Sequence, residues 1–271
     1  MKLSMWSSYY IELSPEEAIA ELAKNGYAYT ELSDEHTAAL VVRGDVQKTG
    51  EAFREFSDKH RVQIPQGHLS IKAKITIAEG RAMVKQQLDL FAAIGIQRAV
   101  LHCDKLLDEP ELPLEEKQRR NLEALQELTD YIRDTDIVLC LENLGCSSFT
   151  QSAEDLLFFI HQLGDSHLGI CLDTGHLNLS GCQSQREFIL AAGQHLQALH
   201  LADNEGQVDQ HMMPFGKGKV DFTEVFASLK EIGYGGLYNF EIPGERKAPA
   251  IIKAYKLEYI RKMFEFLYRN V

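Results

Sequence analysis

Short apolar runs alternate along this chain with longer stretches whose apolar positions recur every three or four residues. The short runs read as strands and the longer stretches as amphipathic helices. The strand candidates are Leu3–Trp6, Tyr27–Glu31, Val62–His68, Arg98–His102, Ile137–Glu142, Leu168–Asp173, Leu196–Leu201 and Gly236–Glu241. Helical spacing follows each of them, over Ser14–Asn25, Glu51–His60, Ile77–Ile94, Leu114–Arg133, Ser152–Gly164, Ser184–His195, Phe222–Ile232 and Ala250–Tyr268. The first helix is the best punctuated. Ser14 is placed to cap it, Pro15 sits at its first position, Glu17 completes a capping box, and Asn25-Gly26 stops it. The sixth run, Leu168-Gly169-Ile170-Cys171-Leu172, is apolar without interruption, as expected of a parallel strand covered on both faces.

Eight strand–helix alternations at even intervals, with no linker-like break in composition, predict one (β/α)8 barrel spanning residues 1–271. Two flavodoxin-like halves are the alternative architecture.

The strand ends carry the chemistry. His68, His102, Glu142, Asp173, His200 and Glu241 each close a run. In a parallel barrel every carboxyl strand end opens on one face, so these separated residues converge on a single mouth. All are of types that bind divalent metals through oxygen or imidazole nitrogen. One histidine at a strand end would be a satisfied core residue; a whole ring of such groups needs a cation to offset its charge. At the sixth strand, Asp173 has a second use, as a cap accepting backbone N–H bonds in the turn that follows. The loop Asp203–Lys219 brings Asp209 and His211 to the same mouth, and its Gly216 and Gly218 would let backbone pass close to a ligand.

Composition narrows the setting. A net charge of −12 argues against a polyanionic partner such as nucleic acid. No apolar run approaches a membrane span, and the N-terminal MKLSMWSSYY carries no secretory pattern. Five cysteines without zinc-type spacing, with Cys103, Cys140 and Cys171 in apolar runs, read as reduced thiols of a cytoplasmic protein. A homo-oligomer stays open.

LEN at 141–143, DTGH at 173–176, HLADNEGQVDQH at 200–211, GKGKVDF at 216–222 and FEIPGE at 240–245 together resemble the xylose-isomerase-like TIM-barrel superfamily. That superfamily includes sugar isomerases and epimerases, inosose and hydroxypyruvate isomerases, and the DNA-repair enzyme endonuclease IV. The resemblance to its epimerase-like members implies one divalent ion (Zn²⁺, Mn²⁺, Co²⁺ or Mg²⁺) held by Glu142, Asp173, His200 and Glu241, with Asp209 and His211 as further ligand candidates. It implies a sugar or keto-polyol substrate, and proton transfer by Glu142 and Glu241 through a metal-bound cis-enediolate. His176 matches a substrate contact. His68 and His102 are then substrate-binding, Trp6 is a candidate pocket floor, and Lys217 or Arg246 a candidate for a distal oxygen or phosphate. Glu31 matches a common acidic residue after strand two that carries no fixed role.

The resemblance to endonuclease IV implies a different outcome. Its trinuclear zinc site has nine ligands, matched here by His68, His102, Glu142, Asp173, His176, His200, Asp209, His211 and Glu241. The ligands alone do not separate an isomerase from an enzyme that cleaves abasic-site DNA. The surroundings favour the isomerase, because the loop after His102, CDKLLDEPELPLEE, is strongly acidic and would repel phosphates.

Overall fold

Each apolar run forms a strand in the computed structural model, which describes residues 2–146 and 148–271. The strands are β1 (Leu3–Trp6), β2 (Tyr29–Leu32), β3 (Gln63–His68), β4 (Arg98–Leu101), β5 (Val138–Glu142), β6 (Leu168–Asp173), β7 (Leu196–His200) and β8 (Tyr238–Phe240). They pair in the order β7-β6-β5-β4-β3-β2-β1-β8, and every ladder is parallel. The two ends of that order meet along a thin seam. A single bridge joins Leu201 to Phe240. Beside it the Leu201 N–H donates to the Asn239 carbonyl at 2.8 Å and the Glu241 N–H to the Leu201 carbonyl at 3.2 Å. The fold is thus one (β/α)8 barrel and not two flavodoxin-like halves.

The helices are α1 (Pro15–Lys24), α2 (Asp34–Val41), α3 (Val46–Lys59), α4 (Ala78–Ile94), α5 (Leu114–Ile132), α6 (Ala153–Leu163), α7 (Thr174–Ser180), α8 (Gln185–Ala192), α9 (Phe222–Glu231) and α10 (Ala250–Asn270). The capping box of Ser14 and Glu17 forms as expected. Helices α2 and α7 lie outside the expected set. The buried face of α2 is His36, Thr37 and Leu40, so two polar residues carry the stripe that a hydrophobic count looks for. Likewise, α3 starts earlier than Glu51, because Asp45 caps a polar first turn through the Lys48 N–H.

The two faces of the strands divide the core. Outward side chains pack with the helices around Phe91, Phe159, Phe188, Phe222 and Phe264. Inward, Val100, Cys140, Cys171 and Ala198 form a small cluster on the barrel axis. Side chains on a strand repeat every two residues. Two steps past that cluster, the same inward face presents His102, Glu142, Asp173 and His200 at the carboxyl mouth. All five cysteines are free, with Cys103, Cys140 and Cys171 buried and Cys146 and Cys182 exposed. No helix among the described residues is long and apolar enough to cross a membrane.

Candidate metal centre

Glu142, Asp173, His200 and Glu241 each bring one ligand atom to a buried point where all four atoms lie within 4.8 Å of one another. His200 Nδ1 is 3.2 Å from Glu142 Oε1 and 3.2 Å from Glu241 Oε2. On its other side, His200 Nε2–H donates to Glu31 Oε1 at 3.0 Å. Glu31 also accepts from the Asn239 side-chain amide, whose oxygen accepts from Ser4 Oγ at 2.8 Å. A carboxylate behind an imidazole fixes its tautomer and leaves the opposite nitrogen for a metal.

Asp173 takes up the cap, one of the two uses its position allowed. Its Oδ1 accepts the His176 N–H at 2.7 Å and so caps α7. Its backbone is clasped by Asn143, which accepts the Asp173 N–H at 2.7 Å and donates to the Asp173 carbonyl at 3.1 Å. Its Oδ2 is buried with no hydrogen-bond partner. Buried carboxylate oxygens are almost always satisfied, so an orphan one beside three other ligand groups fits a cation.

The electrostatics pull the two glutamates apart. Burial would raise the Glu142 carboxyl, but His200 and His102 hold it well below the usual range. Burial lifts Glu241 to about 7, against the pull of His200 and His211, with Glu142 and Asp173 adding to the rise.

His68, His176 and His211 are arranged alike, each with Nδ1 on a backbone carbonyl and Nε2 toward a carboxylate. His68 Nδ1–H donates to the Leu69 carbonyl at 2.6 Å, and its Nε2 lies 3.2 Å from Glu142 Oε2. His102 Nε2 is 2.8 Å from that same oxygen. His176 and His211 donate from Nδ1 to the carbonyls of Asn143, at 3.0 Å, and Glu241, at 2.8 Å. Both then aim Nε2 at Asp209 Oδ2, each at 3.1 Å. His176, Asp209 and His211 thereby form a second ligand group, and His68 with Glu142 and His200 a third. His211 holds φ at +45°, a backbone strain its two hydrogen bonds maintain.

Trp6, His68, His102, Glu142, His176, Asp209, His211 and Glu241 line one cavity of about 330 Å³, with His200 buried against Glu142 and Asp173 buried beside His176. Arg246 and Lys217 are exposed and outside its lining. Sequence reasoning missed Asp34 and Glu35, which line its far side. Their signal was the helix start after Ser33, hidden by the weak apolar stripe of α2. Gly218 serves the protein and not a ligand, since a Cβ there would collide with the Asp203 carboxylate. A larger cavity, about 520 Å³, opens at the opposite end of the barrel around Lys2, Gln66, Arg98 and Tyr234, without a carboxylate or imidazole in its lining.

Fold and site define a (β/α)8 barrel with a carboxylate–imidazole centre at its carboxyl mouth. The chain belongs to the xylose isomerase-like TIM barrel family, whose model matches residues 19–268. It is 26% identical over 247 residues to L-ribulose 3-epimerase of Methylomonas sp. strain DH-1, covering 88% of this chain and 81% of that one. A match to an uncharacterised protein of Methanocaldococcus jannaschii is 33% identical over 143 residues, which is 50% of this chain and 48% of the other. Among solved structures, D-psicose 3-epimerase of Clostridium cellulolyticum H10 superposes with a TM-score of 0.81 at 16% identity, covering 99% of both chains.

Proposed function

We propose that this chain is a divalent-metal-dependent isomerase or epimerase acting on a sugar or keto-polyol. The observation that carries the reading is the meeting of Glu142, at the end of β5, and Glu241, one residue past β8, on one nitrogen of His200 beside the orphan oxygen of Asp173. These four residues would hold the ion, and mixed carboxylate and imidazole donors suit Zn²⁺, Mn²⁺, Co²⁺ or Mg²⁺. When bound, such an ion supplies Lewis acidity that makes the proton on a carbon next to a carbonyl easier to remove. One glutamate takes that proton, and the charge left behind is shared with the carbonyl as an enediolate. The other glutamate returns a proton, to the opposite face of the same carbon for epimerisation or to its neighbour for isomerisation. His176, His68 and His102, fixed by their own hydrogen bonds, orient substrate hydroxyls, while Trp6, Ile71 and Pro243 cover the cavity with apolar surface. The Methylomonas relative, an L-ribulose 3-epimerase by name, supports this class of reaction. The free thiols suit a cytoplasmic setting.

The test is metal analysis of the purified protein, followed by incubation with a panel of ketoses and inososes in D₂O. Turnover with deuterium on the carbon next to the carbonyl is expected. Full activity in exhaustively chelated protein would remove the metal from the scheme.

One observation favours a second reading, that of a multinuclear hydrolase like endonuclease IV. His176 and His211 share Asp209, so eight of the nine matched residues gather as three overlapping ligand groups around the mouth, with His102 beside them on Glu142 Oε2. The acidic loop after β4 and the net charge of −12 weigh against a DNA substrate. Three metals per chain together with salt-sensitive cleavage of abasic-site DNA would establish this reading over the first.

A further inference from the structure

Four places round the barrel from β6, the cavity over the metal centre is closed by the start of α2. Asp34 and Glu35 are the first two residues of that helix, and both line the cavity. A helix start is a natural seat for a phosphate, but this one is already engaged by the chain itself. Ser33 Oγ accepts the His36 N–H at 3.2 Å, and the Ser33 N–H donates to Ser7 Oγ at 2.9 Å. Ser8 Oγ donates to Glu35 Oε2 at 2.8 Å and lies 2.6 Å from Ser33 Oγ, so the hydroxyls that could have met a ligand brace the acids instead. Among the described residues lining the cavity there is no lysine or arginine.

We infer that the substrate of this site is an unphosphorylated, uncharged ketose or keto-polyol, whose far hydroxyls are received by Asp34 and Glu35. The inference rests on the isomerase reading above and adds the substrate class. Carboxylates accept hydrogen bonds from hydroxyls. A terminal phosphate carries roughly −1.5 to −2 charges at neutral pH. On this wall it would meet two acidic groups with no lysine or arginine beside them. Burial, with the charge of Glu35 adding to it and His68 opposing it, lifts Asp34 to about 6. The cavity of about 330 Å³ lies at the small end of the roughly 300–1,000 Å³ typical of small-molecule sites, which suits one monosaccharide.

The experiment compares ketopentoses and ketohexoses with their own terminal phosphates, using protein loaded with the ion that metal analysis identifies. Binding is read by calorimetry and turnover by chromatography of the sugar products, in parallel. The free sugar of each pair that binds is expected to do so about tenfold or more tightly than its phosphate. In an Asp34→Asn, Glu35→Gln double variant the free sugar should weaken and the gap should narrow to about threefold or less. Circular dichroism checks that the variant is folded; if it is not, the wild-type pairs alone decide. A phosphate that binds as well as its free sugar, or binding by neither set, overturns the inference. Tight free-sugar binding with no conversion of any sugar upholds the preference for an uncharged ligand and removes the isomerase reading, so the two failures are distinguishable.

Discussion

At the scale of single residues, the two glutamates bear the functional claim. Glutamine in place of Glu142 or Glu241 keeps shape and one oxygen but removes the base. Each single variant should lose about 100- to 10,000-fold in turnover while staying folded, measured as isomerisation rate beside the melting temperature. A double variant with full activity would defeat the assignment. Glu31 acts one step removed, through His200 Nε2. Glu31→Gln should lower metal affinity by about 10- to 100-fold, read by competition with a chelating dye, and an unchanged affinity would show that His200 needs no support. The meeting of Glu142, Asp173, His200 and Glu241 was legible because inward positions repeat every two residues and the apolar runs ended where the chemistry began. Glu31 was legible as an acid and not as a partner of His200, since only the closed barrel brings β2 across to β7. Arg246 looked like a distal anchor beside Glu241, and the chain carries it outward to solvent.

Among whole elements, strands were easier to read than helices. Every strand was found within a few residues, and at the carboxyl ends β4, β7 and β8 each stop one residue early, before His102, Leu201 and Glu241. The missed helices share a cause. In α2 the buried stripe includes a histidine and a threonine, while α7 is a single short stretch nucleated by Asp173, whose cap looked like a turn. Capping marks are worth testing at α1. Ser14→Ala removes the side-chain acceptor for the Glu17 N–H and should cost about 1 kcal/mol in urea unfolding. The loop before α9 depends on Gly218 in a different way. Asp203 Oδ1 accepts the N–H groups of Asn204 and Val220, both at 2.9 Å, and Gly218 leaves room for that carboxylate. Gly218→Ala should destabilise by about 1–3 kcal/mol through crowding. It should also disturb the Asp209–His211 arrangement inside the loop that the Asp203–Met212 bridge closes. Unfolding at wild-type denaturant concentration would show that the loop moves freely aside.

For the whole molecule, the thin seam between β7 and β8 has a consequence for how the barrel breathes. Neighbouring ladders along β4 to β7 register four residue pairs each, whereas β7 and β8 are joined by the single Leu201–Phe240 bridge. His200 and Glu241 stand directly beside that bridge, one on each side of the opening. An ion gripped by both would act as a clasp on the weakest stave joint, so that loading the site and holding the barrel shut become one event. Ligands bound only by the closed form stabilise it by mass action, about 2.7 kcal/mol at a hundredfold excess over the dissociation constant. Stripping the metal should therefore lower the melting temperature. It should also speed hydrogen exchange first at the Leu201 and Glu241 amides, whose bonds span the seam. Exchange that quickens evenly around the ring would mean that the staves, and not the clasp, keep this barrel closed.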